Sequence, residues 1–152
     1  MTAKTGWPSI SSAVYYDDAA AAIDFLSRAL GFEVRLKIEG EGGVIEHSEL
    51  TFGDAVIMVG TVGDRRATPE RAFAVSPRST GGGNTQTLCL RVESADAACE
   101  RARAAGAKVE IEPATQDYGD DYDSHRTCLV ADPEGHRWWL MQVMREAPPR
   151  AK

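Results

Sequence analysis

The sequence repeats one pattern of strand, helix and turn, and this internal duplication restricts the possible fold more than any other feature. In each half a strand leads into an Ala-rich helix that ends at a glycine, and three further strands follow. The helix-ending glycines Gly31 and Gly106 lie 75 residues apart, and the turn residues Asp54 and Asp132 lie 78 apart. Such near-constant spacing is typical of a duplicated unit. The sequence therefore predicts an α+β fold of two βαβββ modules, with curved mixed sheets around a central cavity.

The predicted elements form one domain of residues 1–152, with a first module at 9–60, a second at 85–143 and a joining loop at 61–84. That loop is longer than ordinary connections, so we expect a lid, a dimer arm or a disordered segment there. The first helix is predicted over 19–30, with Asp17 and Asp18 as its caps. Predicted strands cover residues 9–16, 32–38, 44–52, 55–59, 85–92, 108–112, 124–131 and 136–143, and an acidic loop covers 113–123.

Composition argues against several classes of function. The net charge of -6 disfavours nucleic-acid binding, which depends on clustered Lys and Arg. No apolar run approaches the roughly 18 residues that a membrane span needs, so we expect a cytoplasmic protein without membrane partners. The chain has three cysteines, an odd number, and none of them has CxxC spacing: Cys89, Cys99 and Cys128. This favours reduced core residues over disulfides or a zinc site.

Strand alternation predicts which side chains face the cavity. If Leu50 and Phe52 pack under the helices, then His47, Glu49 and Thr51 point to the opposite face. Adjacent Trp138 and Trp139 must lie on opposite faces of their strand, so at least one belongs to the core. Applied to every strand, this rule gives ten candidate ligand-binding residues: Ser11, Tyr15, His47, Glu49, Met58, Thr87, Arg91, His125, Arg137 and Trp139. His47 and His125 each precede a turn aspartate by seven residues, so we interpret them as pseudo-symmetric mates.

Four segments give the chain a family resemblance. They are residues 18–26 (DAAAAIDFL), 30–33 (LGFE), 102–107 (ARAAGA) and 132–139 (DPEGHRWW). In this order they resemble the vicinal oxygen chelate superfamily, which includes glyoxalase I, extradiol dioxygenases, fosfomycin-resistance enzymes and bleomycin-resistance proteins. The resemblance covers nearly the whole chain and implies the glyoxalase/bleomycin resistance/dioxygenase fold and a homodimer. It does not define the activity, because this scaffold hosts unrelated chemistries.

The resemblance also implies where a metal would bind. Metal-dependent members carry ligands at positions that correspond here to Ser11, Met58, Thr87 and Trp139. Two hydroxyls, a thioether and an indole do not form a ligand set, since the indole nitrogen only donates hydrogen bonds. We therefore predict no metal and no other cofactor. The alternative is a displaced divalent metal held by His47, Glu49 and His125, or acid and base catalysis by the same side chains.

These expectations favour binding over catalysis. A cavity with Met58 and Trp139 at the former ligand positions is apolar and aromatic, with a few fixed polar groups, as is usual for small-molecule sites. We predict metal-independent binding or sequestration of a small molecule, as in antibiotic resistance, with the acidic loop either attracting a cation or simply solvated. One alternative is a lyase, isomerase or dioxygenase. Another is a structural homodimer whose cavity is filled by Tyr15, Met58 and Trp139.

Overall fold

The computed structural model describes residues 6–63 and 68–150, and the chain divides into two compact units at Gly83. Each unit contains one βαβββ module, which confirms the predicted α+β fold of two repeated modules. The first consists of β1 (Ser12–Tyr16), α1 (Ala19–Phe25), β2 (Glu33–Glu39), β3 (Ile45–Phe52) and β4 (Ala55–Thr61). The second consists of β5 (Leu88–Arg91), α2 (Ala95–Ala104), β6 (Lys108–Asp117), β7 (Ser124–Ala131) and β8 (Arg137–Arg145).

Both units have the same sheet topology. The strand orders are β1-β4-β3-β2 and β5-β8-β7-β6, so the first and last strand of each module are neighbours. Those two strands are parallel, whereas the other pairs are antiparallel. A parallel pair needs a crossover connection, and the rest of the module, which begins with the helix, supplies it. This places β2 and β6 at the edges of their sheets.

In unit 1, α1 packs against β1 and β4. The carboxylate of Asp18 caps the helix by accepting a hydrogen bond from the backbone N–H of Ala21 at 3.0 Å. The helix continues as a π-helical turn, Leu26–Leu30, and ends at Gly31, whose φ of 83° lies in the left-handed region that glycine adopts readily. Capping by Asp18 and termination at Gly31 are thus confirmed.

In unit 2, α2 packs against β6, β7 and β8. The Ser94 hydroxyl caps the helix at the N–H of Ala97. Trp138 is almost completely buried and donates its indole N–H to Asp132, whereas Trp139 is only half-buried, so Trp138 is the core member of the pair. All three cysteines are free. The predicted core position is confirmed for the buried Cys99 and Cys128 and wrong for the exposed Cys89.

Two predicted loops contain more regular structure than expected. Strand β6 continues past Pro113 to Asp117, with a register shift between Ile111 and Ala114, so the first half of the predicted acidic loop belongs to a strand. A proline is tolerated there because β6 is an edge strand with an irregular register. Also, β1 begins at Ser12, later than predicted.

Part of the joining loop is also ordered. It contains short 3-10 turns at Pro69–Arg71 and Pro77–Thr80, and the buried Ser76 hydroxyl donates to Asp17 at 2.8 Å. The side chain of Asp17 thus contacts the loop, whereas the side chain of Asp18 caps α1. Residues 64–67 of the joining loop lie outside the described residues. In the described parts of the chain, every helix is too short or too polar to cross a membrane.

Candidate functional site

The register of unit 1 places two of the predicted site residues, Glu49 and Met58, in one row across the sheet. Met58 on β4 is paired with Ala13 on β1 and with Glu49 on β3. Paired residues project to the same side of a sheet, and the neighbouring residues Ser48 and Leu50 are fully buried on the other side. Glu49 and Met58 therefore lie on the face opposite the buried core, which we call the helix-free face of unit 1.

A β-bulge brings Arg35 to the same face. On β2, Val34 is opposite Leu50 and Leu36 is opposite Glu49, so Arg35 is an extra residue in the register. Such a bulge redirects a side chain. The guanidinium of Arg35 binds Oε1 of Glu49 through Nε at 3.0 Å and Nη2 at 2.9 Å. Apolar and charged residues alternate regularly along 34–38, so the sequence pattern gives no sign of the bulge. For this reason the sequence did not predict Arg35 as a site residue.

Arg35 also holds the N-terminal segment. Its Nη1 donates to the backbone carbonyl of Gly6 at 3.0 Å, and its Cζ lies 5.0 Å from the ring centroid of Trp7. This distance fits a cation–π interaction. The structure thus places the ring of Trp7 against Arg35, within unit 1.

His47 completes a polar cluster, which we call the Arg35–Glu49–His47 cluster. Nε2 of His47 lies 2.9 Å from Oε2 of Glu49, so both carboxylate oxygens have partners. The side chain of Glu49 is only 12% exposed. The hydrogen bond with His47, followed by the hydrogen bond and charge of Arg35, lowers the pKa of Glu49 below its ordinary value, although burial acts in the opposite direction. Glu49 is therefore held as a carboxylate.

Apolar side chains flank this cluster. Leu36 is in register with Glu49, and Ile38 is in register with His47, so both share the helix-free face and both are exposed. Met58 and Tyr15 are half-buried. The face therefore combines a fixed group of charges with apolar surface, a combination found in small-molecule sites.

The same row in unit 2 has different chemistry. Ala13 and Cys89 each lie five residues before the helix N-caps Asp18 and Ser94, so they are equivalent. Cys89 is paired with Trp139, and Trp139 with Leu129. Leu129 is thus the counterpart of Glu49, and it is only 8% exposed. Unit 2 therefore lacks the carboxylate around which the cluster of unit 1 forms.

The predicted equivalence of His47 and His125 is wrong by two residues. The counterpart of His47, two residues before Leu129, is Thr127, and His125 lies further along β7. The cause is the turn length, because the paired ends Phe52 and Ala55 enclose a shorter turn than the paired ends Ala131 and Arg137. Aligning the turn aspartates therefore shifted the register. Nε2 of His125 instead lies 3.4 Å from Asp123.

The other predicted binding residues are dispersed. Arg137 pairs with Glu110 at 2.6 Å, and Arg91 pairs with Glu146 at 3.5 Å. Ser11 and Thr87 are exposed and lie immediately before β1 and β5. Within unit 1, the structure therefore brings His47 and Glu49 into contact, with Met58 in the same row.

The acidic loop is organised by Arg145. Its guanidinium binds both carboxylate oxygens of Asp117 and donates to the carbonyl of Gly119. Hydrogen bonds from Arg145 and from the Gly119 N–H lower the pKa of Asp117 to about 2. Asp123 accepts a hydrogen bond from the N–H of Ala147 and lies near His125. Part of the loop's charge is thus matched internally.

Neither donor set considered from the sequence fits a resident metal. Met58 and Trp139 offer a thioether and an indole N–H, which do not complete a ligand set with the hydroxyls of Ser11 and Thr87. In the displaced set, both oxygens of Glu49 are already engaged by Arg35 and His47. Within either unit, the described residues contain no group of three or more His, Cys, Asp or Glu side chains arranged to hold a metal ion.

Comparisons with known proteins agree with the fold. The model of the Glyoxalase/Bleomycin resistance protein/Dioxygenase superfamily matches residues 10–140. An uncharacterized protein of Mycobacterium bovis is 34% identical over 140 residues, which cover 91% of this chain and 86% of that protein. An uncharacterized protein of Mycobacterium tuberculosis is also 34% identical, over 91% of this chain and 76% of its own length.

Solved structures share the architecture. TioX from Micromonospora sp. ML1 is similar with a TM-score of 0.68 and 24% identity, over 89% of this chain and 98% of that chain. A glyoxalase/bleomycin resistance protein/dioxygenase from Nocardioides is similar with a TM-score of 0.63 and 19% identity, over 98% of this chain and 93% of that chain. The family model, the duplicated βαβββ topology and these neighbours lead to one conclusion. The chain belongs to the glyoxalase/bleomycin resistance protein/dioxygenase superfamily.

Proposed function

We propose that this protein binds and sequesters a small molecule without a metal, and that the helix-free face of unit 1 supplies the main contacts. The observation that carries the proposal is the Arg35–Glu49–His47 cluster, a fixed and internally neutralised polar group among exposed apolar side chains. Met58 stands beside it, where the resemblance places a metal ligand in metal-dependent members. Apolar surface supplies affinity at such a site, and a few fixed polar groups supply orientation.

The chemistry of the cluster favours holding a ligand over activating a metal-bound one. Arg35 is engaged by Glu49, by the Gly6 carbonyl and by the ring of Trp7, so its position is fixed on several sides. A preorganised group loses little conformational freedom when a ligand binds. Sequestration of a drug, as in the bleomycin-resistance branch that the sequence resembles, is the use that we propose for such a face.

The proposal is tested by screening a library of aromatic and heteroaromatic drugs in chelator-containing buffer, with ligand-observed NMR followed by calorimetry. We expect ligands that bind the wild type, that need no divalent ion, and that lose about tenfold or more in affinity in Arg35→Ala, because Glu49 and the N-terminal segment then lose their bonds to Arg35. Glu110→Ala is the matched control. It breaks an ion pair with Arg137 in unit 2 and is expected to leave affinity unchanged. A library without binders, or binding that requires a metal, contradicts the proposal.

A second candidate function is acid and base catalysis by His47. It is favoured by the contact between His47 and Glu49, with His47 still 33% exposed. Incubating each bound compound with the protein and analysing the products separates the two functions. Turnover that disappears in His47→Gln supports an enzyme, whereas unchanged compounds support sequestration. The homodimer and the cytoplasmic location remain predictions from the sequence.

A further inference from the structure

We propose that Glu49 and Arg35 fix His47 in the tautomer that carries its proton on Nε2, so that Nδ1 accepts a hydrogen bond from a hydroxyl or N–H group of the ligand. The tautomer is a property of this chain alone. The ligand class rests on the proposed function, because it requires that ligands occupy the helix-free face of unit 1.

The carboxylate of Glu49 determines where the proton on the His47 ring lies. An ionised carboxylate only accepts hydrogen bonds. Oε1 of Glu49 accepts from two nitrogens of Arg35, and Oε2 lies 2.9 Å from Nε2 of His47. The same two partners lower the pKa of Glu49. A contact of this length between a carboxylate oxygen and an imidazole nitrogen requires a proton on that nitrogen, so Nε2 is the protonated atom.

The other ring nitrogen of His47 is Nδ1. A neutral imidazole with its proton on Nε2 has a lone pair on Nδ1. Across the part of the chain that the structure describes, Nδ1 of His47 has no hydrogen-bond partner, and it is not among the buried atoms without one. The side chain is 33% exposed. Nδ1 is therefore an accessible acceptor, and the contact between Nε2 and Glu49 fixes the orientation of the ring.

The surroundings of His47 define the class of ligand. Ile38 is in register with His47, and Leu36 with Glu49, so apolar side chains lie next to the acceptor. The charge of Arg35 is matched by Glu49, so the cluster does not require a charged partner. The chemistry therefore fits a neutral molecule that carries a hydroxyl or N–H donor on an aromatic or aliphatic body. A phenol is the simplest probe of this class.

The tautomer is tested by ¹⁵N NMR of the imidazole nitrogens at about pH 8.5, above the ordinary range of histidine titration. His47→Gln assigns the resonances. We expect the wild type to have its proton on Nε2 and Glu49→Gln to invert the tautomer. In that variant Arg35, which only donates, attracts the carbonyl oxygen of the new amide. The amide NH₂ then faces Nε2, which must become the acceptor.

Glu110→Gln is the matched control, because it makes the same substitution in the Arg137 ion pair of unit 2 and is expected to leave His47 unchanged. A wild-type proton on Nδ1, or the same tautomer in wild type and Glu49→Gln, overturns the proposal. A cluster that only stabilises the fold would not produce an inversion.

The ligand class is tested by titrating phenol and anisole, which differ in the hydrogen-bond donor. We expect phenol to bind about fivefold more tightly to the wild type, the usual worth of one hydrogen bond. In Glu49→Gln the preference is lost or reversed, because Nδ1 then donates. Equal affinities in the wild type overturn the ligand class. Failure of both probes to bind counts against the helix-free face as a binding site, and so against the proposed function, while the NMR result decides the tautomer separately.

Discussion

Glu49 is the residue on which the chemistry of unit 1 depends. Its side chain is mostly buried, and burial alone raises the pKa of a carboxyl group. Two neighbours outweigh that effect, first His47 and then Arg35. If either neighbour is removed, Glu49 stays buried but loses a hydrogen bond that stabilises its negative charge.

We therefore expect the pKa of Glu49 to rise in Arg35→Met and to rise further in His47→Phe, because the bond with His47 is the largest cause of the shift. A carboxyl group whose pKa is lowered by folding stabilises the fold at pH values above its unfolded-state pKa, which is 4.5 here. That contribution is lost as the pH falls through the lower pKa of the folded state. Chemical shifts of the ¹³C carboxyl carbon measure the titration midpoints. Midpoints that stay constant or fall in these variants contradict the assignment, and Glu110→Gln is again the control.

Alternation predicted part of this cluster. Counting by twos from Leu50 placed His47 and Glu49 on one face, and their contact agrees with that face. The role of Arg35 could not be predicted, because its position depends on a bulge in the register of β2 against β3, and the sequence pattern along β2 does not reveal that bulge. Its partner Trp7 is distant in sequence and carries no periodic signal.

At the level of elements, the boundaries set by glycine, caps and turns agree well with the sequence. Strand β7 matches its predicted limits at both ends, and the first helix with its π-helical turn covers the predicted residues 19–30. The largest difference occurs at the edge strand β6, whose pairing with β7 extends it through a polar segment. Its pairing partner, rather than local composition, decided where this strand ends.

The turn between β7 and β8 depends on one carboxylate. Asp132 is only 5% exposed, and it accepts hydrogen bonds from the N–H groups of Glu134 and His136 and from the indole of Trp138. We expect Asp132→Ala to lower the free energy of unfolding by about 2 to 4 kcal/mol, because buried donors lose their acceptor. Urea unfolding measures the change.

The matched control is Asp54→Ala, at the exposed turn of unit 1, for which we expect a change within about 0.5 kcal/mol. A loss for Asp132→Ala as small as that of the control would contradict a structural role for this carboxylate.

At the scale of the whole molecule, duplication conserved the scaffold and not the chemistry. The two units share strand order, the place of the helix after the first strand, and the row of paired residues across each sheet. In that row, however, unit 1 has Met58 and Glu49 where unit 2 has Trp139 and Leu129. The sequence predicted the scaffold because its signals are repeated. The pairing position of each residue, however, depends on the turn before the last strand, and this turn is longer in unit 2 than in unit 1. For this reason the expected counterpart of His47 was wrong by two positions.

This asymmetry predicts that the two halves tolerate charge differently at equivalent positions. Leu129→Glu places a carboxylate at a site that is 8% exposed, without the arginine that a bulge supplies in unit 1. We expect it to lower the free energy of unfolding by about 2 to 3 kcal/mol at pH 7, and the loss to shrink as the pH falls and the new side chain becomes neutral. Leu129→Met, which conserves volume, is the control and should cost less than about 1.5 kcal/mol. Equal losses of unfolding free energy in the two variants, or a loss independent of pH, would mean that packing rather than charge distinguishes the two units in this row.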